Sequence, residues 1–113
     1  MLLDTSGLMC LLDKRETRHD RATDFYNSAL RLICHNYVLA EFVALTIARS
    51  VPRPAALQFT DAIARSGEIE VIWVDKGLHE RALQLLSQRT DKSWSLCDAV
   101  SFVTMADQVF QRL

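Results

Sequence analysis

The sequence predicts an α/β fold in which helices flank a small parallel sheet in three layers. Short apolar runs that are typical of buried strands alternate with longer segments of helical spacing. The chain has 113 residues, of which 50% are hydrophobic and 24% are charged. This is the composition and length of one globular domain, so we expect a single domain over residues 1–113.

The chain opens on an apolar run, residues 1–3, which leads directly into Asp4, Thr5 and Ser6. A run of this kind is typical of a buried strand, although periodicity alone does not separate it from a buried helix. At the carboxyl end of a parallel strand, Asp4 would lie where α/β sheets bind their ligands. Residues 8–12 then form a helix-like segment, which the hydroxyl of Thr5 or Ser6 can cap.

Residues 13–21 are a dense run of charges, followed by an amphipathic helix over residues 20–30. A solvated loop explains the charged run most simply. The alternative is an arginine-rich rim that contacts phosphates, formed by Arg15, Arg18 and Arg21.

The remaining segments continue the alternation of strands and helices. In chain order we expect a strand over 31–36, helices over 37–48 and 54–66, a strand over 69–74, a helix over 76–89 and a last helix from Ser95 to Ala106. The helix over 37–48 is apolar nearly all round, as a buried helix is. Gly67 occupies a C-cap position, and Ser95-x-x-Asp98 resembles a capping box.

Charge, cysteines and hydropathy exclude several classes of protein. The net charge of −1 does not favour nucleic acid, so any cationic binding surface has to be local. Three cysteines without C-x-x-C spacing indicate reduced, buried thiols rather than a disulfide scaffold. The sequence contains neither a membrane-spanning run nor a secretion signal, and we expect a cytoplasmic protein without membrane contacts.

Three carboxylates lie in apolar segments, where solvent does not explain them: Asp4, Glu41 and Asp98. A buried carboxylate is costly unless it is paired, neutralised or bound to a metal. From a strand end and two helix starts, the three acids could converge on one Mg²⁺ or Mn²⁺ ion. The matching chemistry is metal-assisted attack of water on a phosphodiester.

Each acid also has a simpler explanation. Asp4 and Asp98 can cap the helices that follow them, and Glu41 can pair with Arg31 or Arg49. Spacing alone therefore suggests the metal site without deciding it.

Three blocks of the sequence, residues 3–6, 37–45 and 91–102, carry a family resemblance in their order and spacing. They resemble the PIN domain, in particular the small VapC-type toxins of bacterial toxin–antitoxin pairs. The resemblance covers essentially the whole chain, and the last block is its most specific part.

The resemblance implies a Mg²⁺- or Mn²⁺-dependent ribonuclease that acts as a toxin, with Asp4, Glu41 and Asp98 as the catalytic, metal-binding acids. It implies that Thr5 or Ser6 supports the site, that an antitoxin protein crosses the cleft, and that the protein forms a homodimer. It also implies a five-stranded parallel sheet in the order 3-2-1-4-5.

The chain departs from the family after the last helix. The family continues with two more strands and a further acid, so we expect a PIN-like sheet that lacks its last one or two strands. Asp107 follows Asp98 by nine residues, about 180° around the same helix, and cannot replace that acid.

Two other functions are compatible with parts of this pattern. One is a catalytically impaired PIN-fold binding module or truncated relic that lacks the fourth acid. The other is a phosphoryl-transfer protein, such as a response-regulator receiver or a haloacid-dehalogenase-type phosphatase. The second is disfavoured because no Asp-x-Asp follows the first strand and no late lysine is evident.

Overall fold

The computed structural model describes the backbone of residues 1–112 and the side chains of residues 1–109. In chain order the elements are α1 (Thr5–Leu12), α2 (His19–Ser28), β1 (Leu32–His35), α3 (Asn36–Ala48), α4 (Arg53–Arg65), β2 (Ile69–Ile72), α5 (Lys76–Gln88) and α6 (Leu96–Arg112). They form two compact units, Met1–Ile72 and the residues from Trp73 onward. A single domain over residues 1–113 stays a prediction.

The first unit contains the parallel sheet. β1 and β2 pair in parallel, with Leu32 opposite Ile69. The opening segment, residues 1–3, lies on the other side of β1, where Leu2 forms a parallel bridge with Ile33. The Leu3 amide donates to the Ile33 carbonyl at 2.7 Å. The order β2, β1, opening segment is the 3-2-1 part of the expected sheet, and the described residues contain no fourth or fifth strand.

The core of the first unit surrounds β1, whose four residues are all buried. A continuous apolar run is the expected signature of a parallel strand that is covered on both faces. α3 packs on α1, α4 and β1, and the rings of Phe42 and Phe59 meet with centroids 5.4 Å apart.

The expectation that α3 is buried all round is wrong. Leu39 and Phe42 face the core, whereas Ala40, Ala44 and Ile47 are exposed. Alanine is small and is tolerated at the surface, so an alanine-rich stretch can have high mean hydropathy without being buried.

Two of the predicted helix caps are also wrong. The backbone is still extended at Asp4 and becomes helical at Thr5. Asp4 is therefore the N-cap of α1, and Thr5 and Ser6 are the first two residues of the helix. α4 ends with extended backbone at Ser66. Gly67 does not have the positive φ of a glycine C-cap.

The second unit is built from α5 and α6, which pack together. Ala82 of α5 and Ala99 and Val100 of α6 are fully buried. Arg81 donates two hydrogen bonds to Asp107, at 2.7 and 3.0 Å, across the two helices. Of the helices in the described part of the chain, none is long and apolar enough to cross a membrane.

Candidate active site

Asp4 lies between the opening segment and α1, with its side chain exposed. Its Oδ1 accepts a hydrogen bond of 2.7 Å from the Gly7 amide, which is the N-cap bond of α1. The simpler explanation, that Asp4 caps α1, is therefore correct. The cap uses only Oδ1, and Asp4 has no ion-pair partner among the described residues, so Oδ2 stays available. A Cβ at Gly7 would lie 3.1 Å from Oδ1, so the glycine gives this carboxylate room.

Thr5 and Ser6, the predicted supporting hydroxyls, differ in their surroundings. Ser6 is exposed and lines a cleft together with Asp4. Thr5 is 8% exposed, and its Oγ1 is buried without a hydrogen-bond partner among the described residues. Of the two, Ser6 is therefore the hydroxyl that shares the solvent-accessible space around Asp4.

That space, which we call the α1–α2 cleft, is bounded by the opening segment, α1 and α2 and has a volume of about 430 Å³. Its polar lining residues are Asp4, Ser6, Arg18 and Arg21. The His19 Nδ1 lies 2.8 Å from the Cys10 carbonyl, to which it can only donate, and this bond ties the start of α2 to α1. The two walls of the cleft are thus held by a specific contact.

The three arginines of the charged run are not equivalent. Arg15 donates two hydrogen bonds of 2.9 Å to Asp13 and does not line the cleft. These hydrogen bonds lower the pKa of the Asp13 carboxyl. Arg18 and Arg21 have no carboxylate partner among the described residues, and both line the cleft.

Glu41 is exposed on α3 and has no hydrogen bond or ion pair to any residue that the structure describes. The two arginines proposed as its partners are engaged elsewhere. Arg31 pairs with Glu70 at 2.6 Å, and Arg49 pairs with Glu16 at 2.8 Å. Pairing with an arginine therefore does not explain Glu41.

Asp98 lies in the second unit, in the first turn of α6. Its Oδ2 accepts from the Ser95 amide, and its own amide donates to the Ser95 Oγ, both at 3.0 Å. This reciprocal pair is the predicted capping box. The side chain is exposed, so the cap leaves one carboxylate oxygen available.

The expectation that apolar surroundings enclose the three acids is wrong, because all three side chains are exposed. Hydropathy is averaged over a segment, whereas a residue at a helix start or on the outer side of a helix meets solvent. What the acids share instead is that none has a cationic partner among the described residues.

Exposed carboxylate oxygens without cationic partners are suitable ligands for Mg²⁺, which binds few protein groups and keeps several waters. Asp4 and Glu41 belong to the first unit and Asp98 to the second. Within the described residues no group of three His, Cys, Asp or Glu side chains is placed to hold a metal ion. Convergence of the three acids on one ion stays a prediction.

Phe25 is a candidate functional residue that sequence reasoning missed. It belongs to the helix that is predicted to be amphipathic over residues 20–30, and it is 52% exposed and lines the cleft. The Arg21 guanidinium carbon lies 5.6 Å from the centroid of its ring. The i, i+4 spacing of Arg21 and Phe25 next to a charged run was the available signal.

The comparisons with known proteins agree with the motifs. The model of the PIN domain family matches residues 1–108. The chain belongs to the PIN domain family. Among solved structures it is similar to VapC20 of Mycobacterium tuberculosis, a sarcin–ricin loop cleaving toxin, with a TM-score of 0.86 and 28% identity over 95% of this chain and 82% of that one. No curated protein matches the sequence.

The PIN-domain match confirms several predictions made from the sequence. The VapC-type resemblance and the PIN-like α/β fold are confirmed, and so is the expected class of activity, a ribonuclease toxin. The roles of the individual residues stay predictions.

Proposed function

We propose that this PIN-domain protein is a divalent-metal-dependent endoribonuclease that hydrolyses RNA phosphodiester bonds as the toxin of a type II toxin–antitoxin system. One observation supports it most strongly. The α1–α2 cleft combines a carboxylate that has no cationic partner, Asp4, with two arginines that have no carboxylate partner, Arg18 and Arg21. An acid that can hold a metal and cations that can hold phosphates are the groups that hydrolysis of RNA requires.

Asp4, Glu41 and Asp98 would hold Mg²⁺ or Mn²⁺ through carboxylate oxygens. The bound metal would supply an activated water and would stabilise the negative charge of the transition state. Gly7 orients Asp4 through its amide, and Ser6 is placed to bind a water or a substrate oxygen in the same cleft. Thr5 supports the site less directly because its hydroxyl is buried.

Arg18 and Arg21 are proposed to bind phosphates of the RNA on the α2 side of the cleft. Arg15 contributes less, because its guanidinium is already neutralised by Asp13 and donates to the Arg49 carbonyl at 3.2 Å. A guanidinium that lacks a carboxylate partner can bind a phosphate without first breaking an ion pair.

The sarcin–ricin loop is the first substrate to test, since the similar VapC20 is a sarcin–ricin loop cleaving toxin. As a VapC-type toxin the protein also has an antitoxin as its expected partner. A homodimer and a cytoplasmic location belong to the same proposal.

The test is cleavage of a synthetic sarcin–ricin hairpin in Mg²⁺ or Mn²⁺, with a chelator as the blank. Asp4→Asn keeps a good N-cap residue while removing the charge, and Glu41→Gln removes the second acid. Glu68→Gln is the matched control, because Glu68 is also exposed but lies away from the α1–α2 cleft. We expect both site variants to lose cleavage and the control to retain it; equal cleavage by all four proteins would refute the proposal.

A non-catalytic binding module is the second candidate. It is favoured by Arg18, Arg21 and Phe25, which can bind RNA in the α1–α2 cleft without a metal. A folded protein that binds the hairpin but cleaves no RNA in either metal would support this candidate.

A further inference from the structure

One face of α2 carries side chains into the α1–α2 cleft. Arg18, which precedes the helix, and Arg21, Ala22 and Phe25 line the cleft at spacings of three, four and seven residues. Residues at these spacings share one side of a helix. The cleft therefore has one wall, formed by α2, that is both cationic and aromatic, and Asp4 lines the same cleft.

The two arginines stand out from the other arginines of the chain. Each of the following has a carboxylate within 4 Å: Arg15, Arg31, Arg49, Arg65, Arg81 and Arg89. Among arginines whose side chains the structure describes, the exceptions are Arg18, Arg21 and Arg53. Two of the three line one cleft, which marks it as a site for an anion that the chain itself does not supply.

Phe25 adds a second, independent feature to the same wall. A phenylalanine that is 52% exposed beside an arginine pair is a surface on which a nucleobase can stack. Arg21 now lies over the ring at 5.6 Å. An exposed cation–π contact is weaker than a charge-assisted hydrogen bond to phosphate, so a phosphate can draw the guanidinium away and free the ring face.

The volume of the cleft fits one nucleotide rather than a duplex. Its roughly 430 Å³ lies in the range of about 300–1,000 Å³ that is typical of small-molecule sites. Apart from the polar and aromatic groups, its lining is apolar or small: Met1, Leu2, Leu3, Gly7, Cys10, Leu11 and Ala22. A paired base is not available for stacking, whereas an unpaired base in a loop is.

We propose that the α1–α2 cleft is a subsite for one unpaired nucleotide of the RNA substrate. The base stacks on Phe25, Arg18 and Arg21 bind the flanking phosphates, and Asp4 lies on the side where the bond is hydrolysed. The proposal rests on the ribonuclease function for its substrate class. It adds that one base of that RNA is bound by stacking on Phe25.

The test compares two probes of equal length and charge. One is a fluorescent oligoadenylate with a 2′-O-methyl backbone, which resists cleavage, and the other is its abasic counterpart. Fluorescence anisotropy in Mg²⁺ measures the affinity of the wild type and of Phe25→Leu, with Phe25→Trp as the conservative variant. Tyr26→Leu is the matched control, because Tyr26 is the next residue of α2 and does not line the cleft.

We expect the wild type to bind the oligoadenylate about tenfold more tightly than the abasic probe, which is within the range for one stacked base. Phe25→Leu should remove that difference without weakening the abasic probe, and Phe25→Trp should restore it. Arg18→Gln and Arg21→Gln should weaken both probes and flatten the salt dependence, by a slope of about 0.7 for each lost phosphate contact. Arg53→Gln, the matched arginine control, should change neither probe.

Equal affinity of the wild type for the two probes would overturn the proposal. An acidic peptide would also overturn it, if the peptide displaces both probes and its affinity falls in Phe25→Leu as much as that of the oligoadenylate. The cleft would then bind a protein partner. The proposed ribonuclease function has a separate test: it is refuted if Asp4→Asn cleaves the hairpin as fast as the wild type.

Discussion

The capping box of α6 allows the structural and the catalytic role of Asp98 to be separated. Ser95 and Asp98 exchange two hydrogen bonds of 3.0 Å, one from each backbone amide to the other side chain. Ser95→Ala removes only the hydroxyl, so the Ser95 amide still holds the Asp98 carboxylate. Asp98→Asn keeps an oxygen that can accept from the Ser95 amide but removes the negative charge.

The expected stability losses are similar and small. Replacing a serine N-cap by alanine costs about 1 kcal/mol, which lowers Tm by about 4 °C for a chain of this size. Asp98→Asn loses the favourable interaction of its charge with the helix N-terminus, about 0.5 kcal/mol. Neither change should unfold the protein at the assay temperature.

Cleavage of the hairpin in Mg²⁺ should distinguish the two variants clearly. Asp98→Asn should lower the rate by more than about tenfold, since even outer-shell metal partners contribute that much. Ser95→Ala should cleave at nearly the wild-type rate, because the carboxylate stays in place. Asp98 is only a helix cap if Asp98→Asn cleaves at the wild-type rate. The same holds if the cleavage rates of the two variants fall only in proportion to their losses of stability.

Three further outcomes follow from the structure. Gly7→Ala should leave the free energy of unfolding nearly unchanged, because a gain of about 1 kcal/mol in helix propensity offsets a weakened cap. The new Cβ would lie 3.1 Å from the Asp4 Oδ1 and crowd it, so Mn²⁺ affinity and cleavage should fall. Unchanged Mn²⁺ affinity would contradict this prediction. Burial lowers the pKa of His35 to about 4, so the unfolded chain takes up the proton first as the pH falls below about 6.5. The contribution of His35 to the free energy of unfolding should therefore fall by about 1 kcal/mol from pH 7 to 5.5. His35→Asn keeps an acceptor for the Val38 amide. In urea titrations this variant should show a smaller pH dependence than the wild type. Removing divalent cations with a chelator should abolish hydrolysis and leave the circular dichroism spectrum intact; loss of the fold would indicate a structural metal.

The alternation of elements could be predicted because each has a strong local signal. β1 is a continuous apolar run, and α6 begins at a capping box that the structure contains as predicted. The ends of strands were less predictable. The run over 31–36 shortens to Leu32–His35 because Asn36 already belongs to α3, and the run over 69–74 shortens to Ile69–Ile72.

The environment of individual side chains could not be predicted from the same signals. Glu41 lies in an apolar stretch and is nevertheless exposed, because it lies on the outer side of α3 together with Ala40, Ala44 and Ile47. Arg15 differs from Arg18 and Arg21 because the chain turns after α1 so that Arg15 returns to Asp13. Such pairings depend on backbone geometry, which composition does not encode.

If Asp4 anchors a divalent cation used in RNA hydrolysis, its replacement should weaken Mn²⁺ binding, and calorimetry measures this most directly. The comparison uses the wild type, Asp4→Asn and the control Glu68→Gln, all shown to be folded by circular dichroism. We predict that the wild type and the control bind Mn²⁺ and that Asp4→Asn binds it more than about tenfold more weakly. Equal Mn²⁺ affinity in all three proteins would contradict the claim.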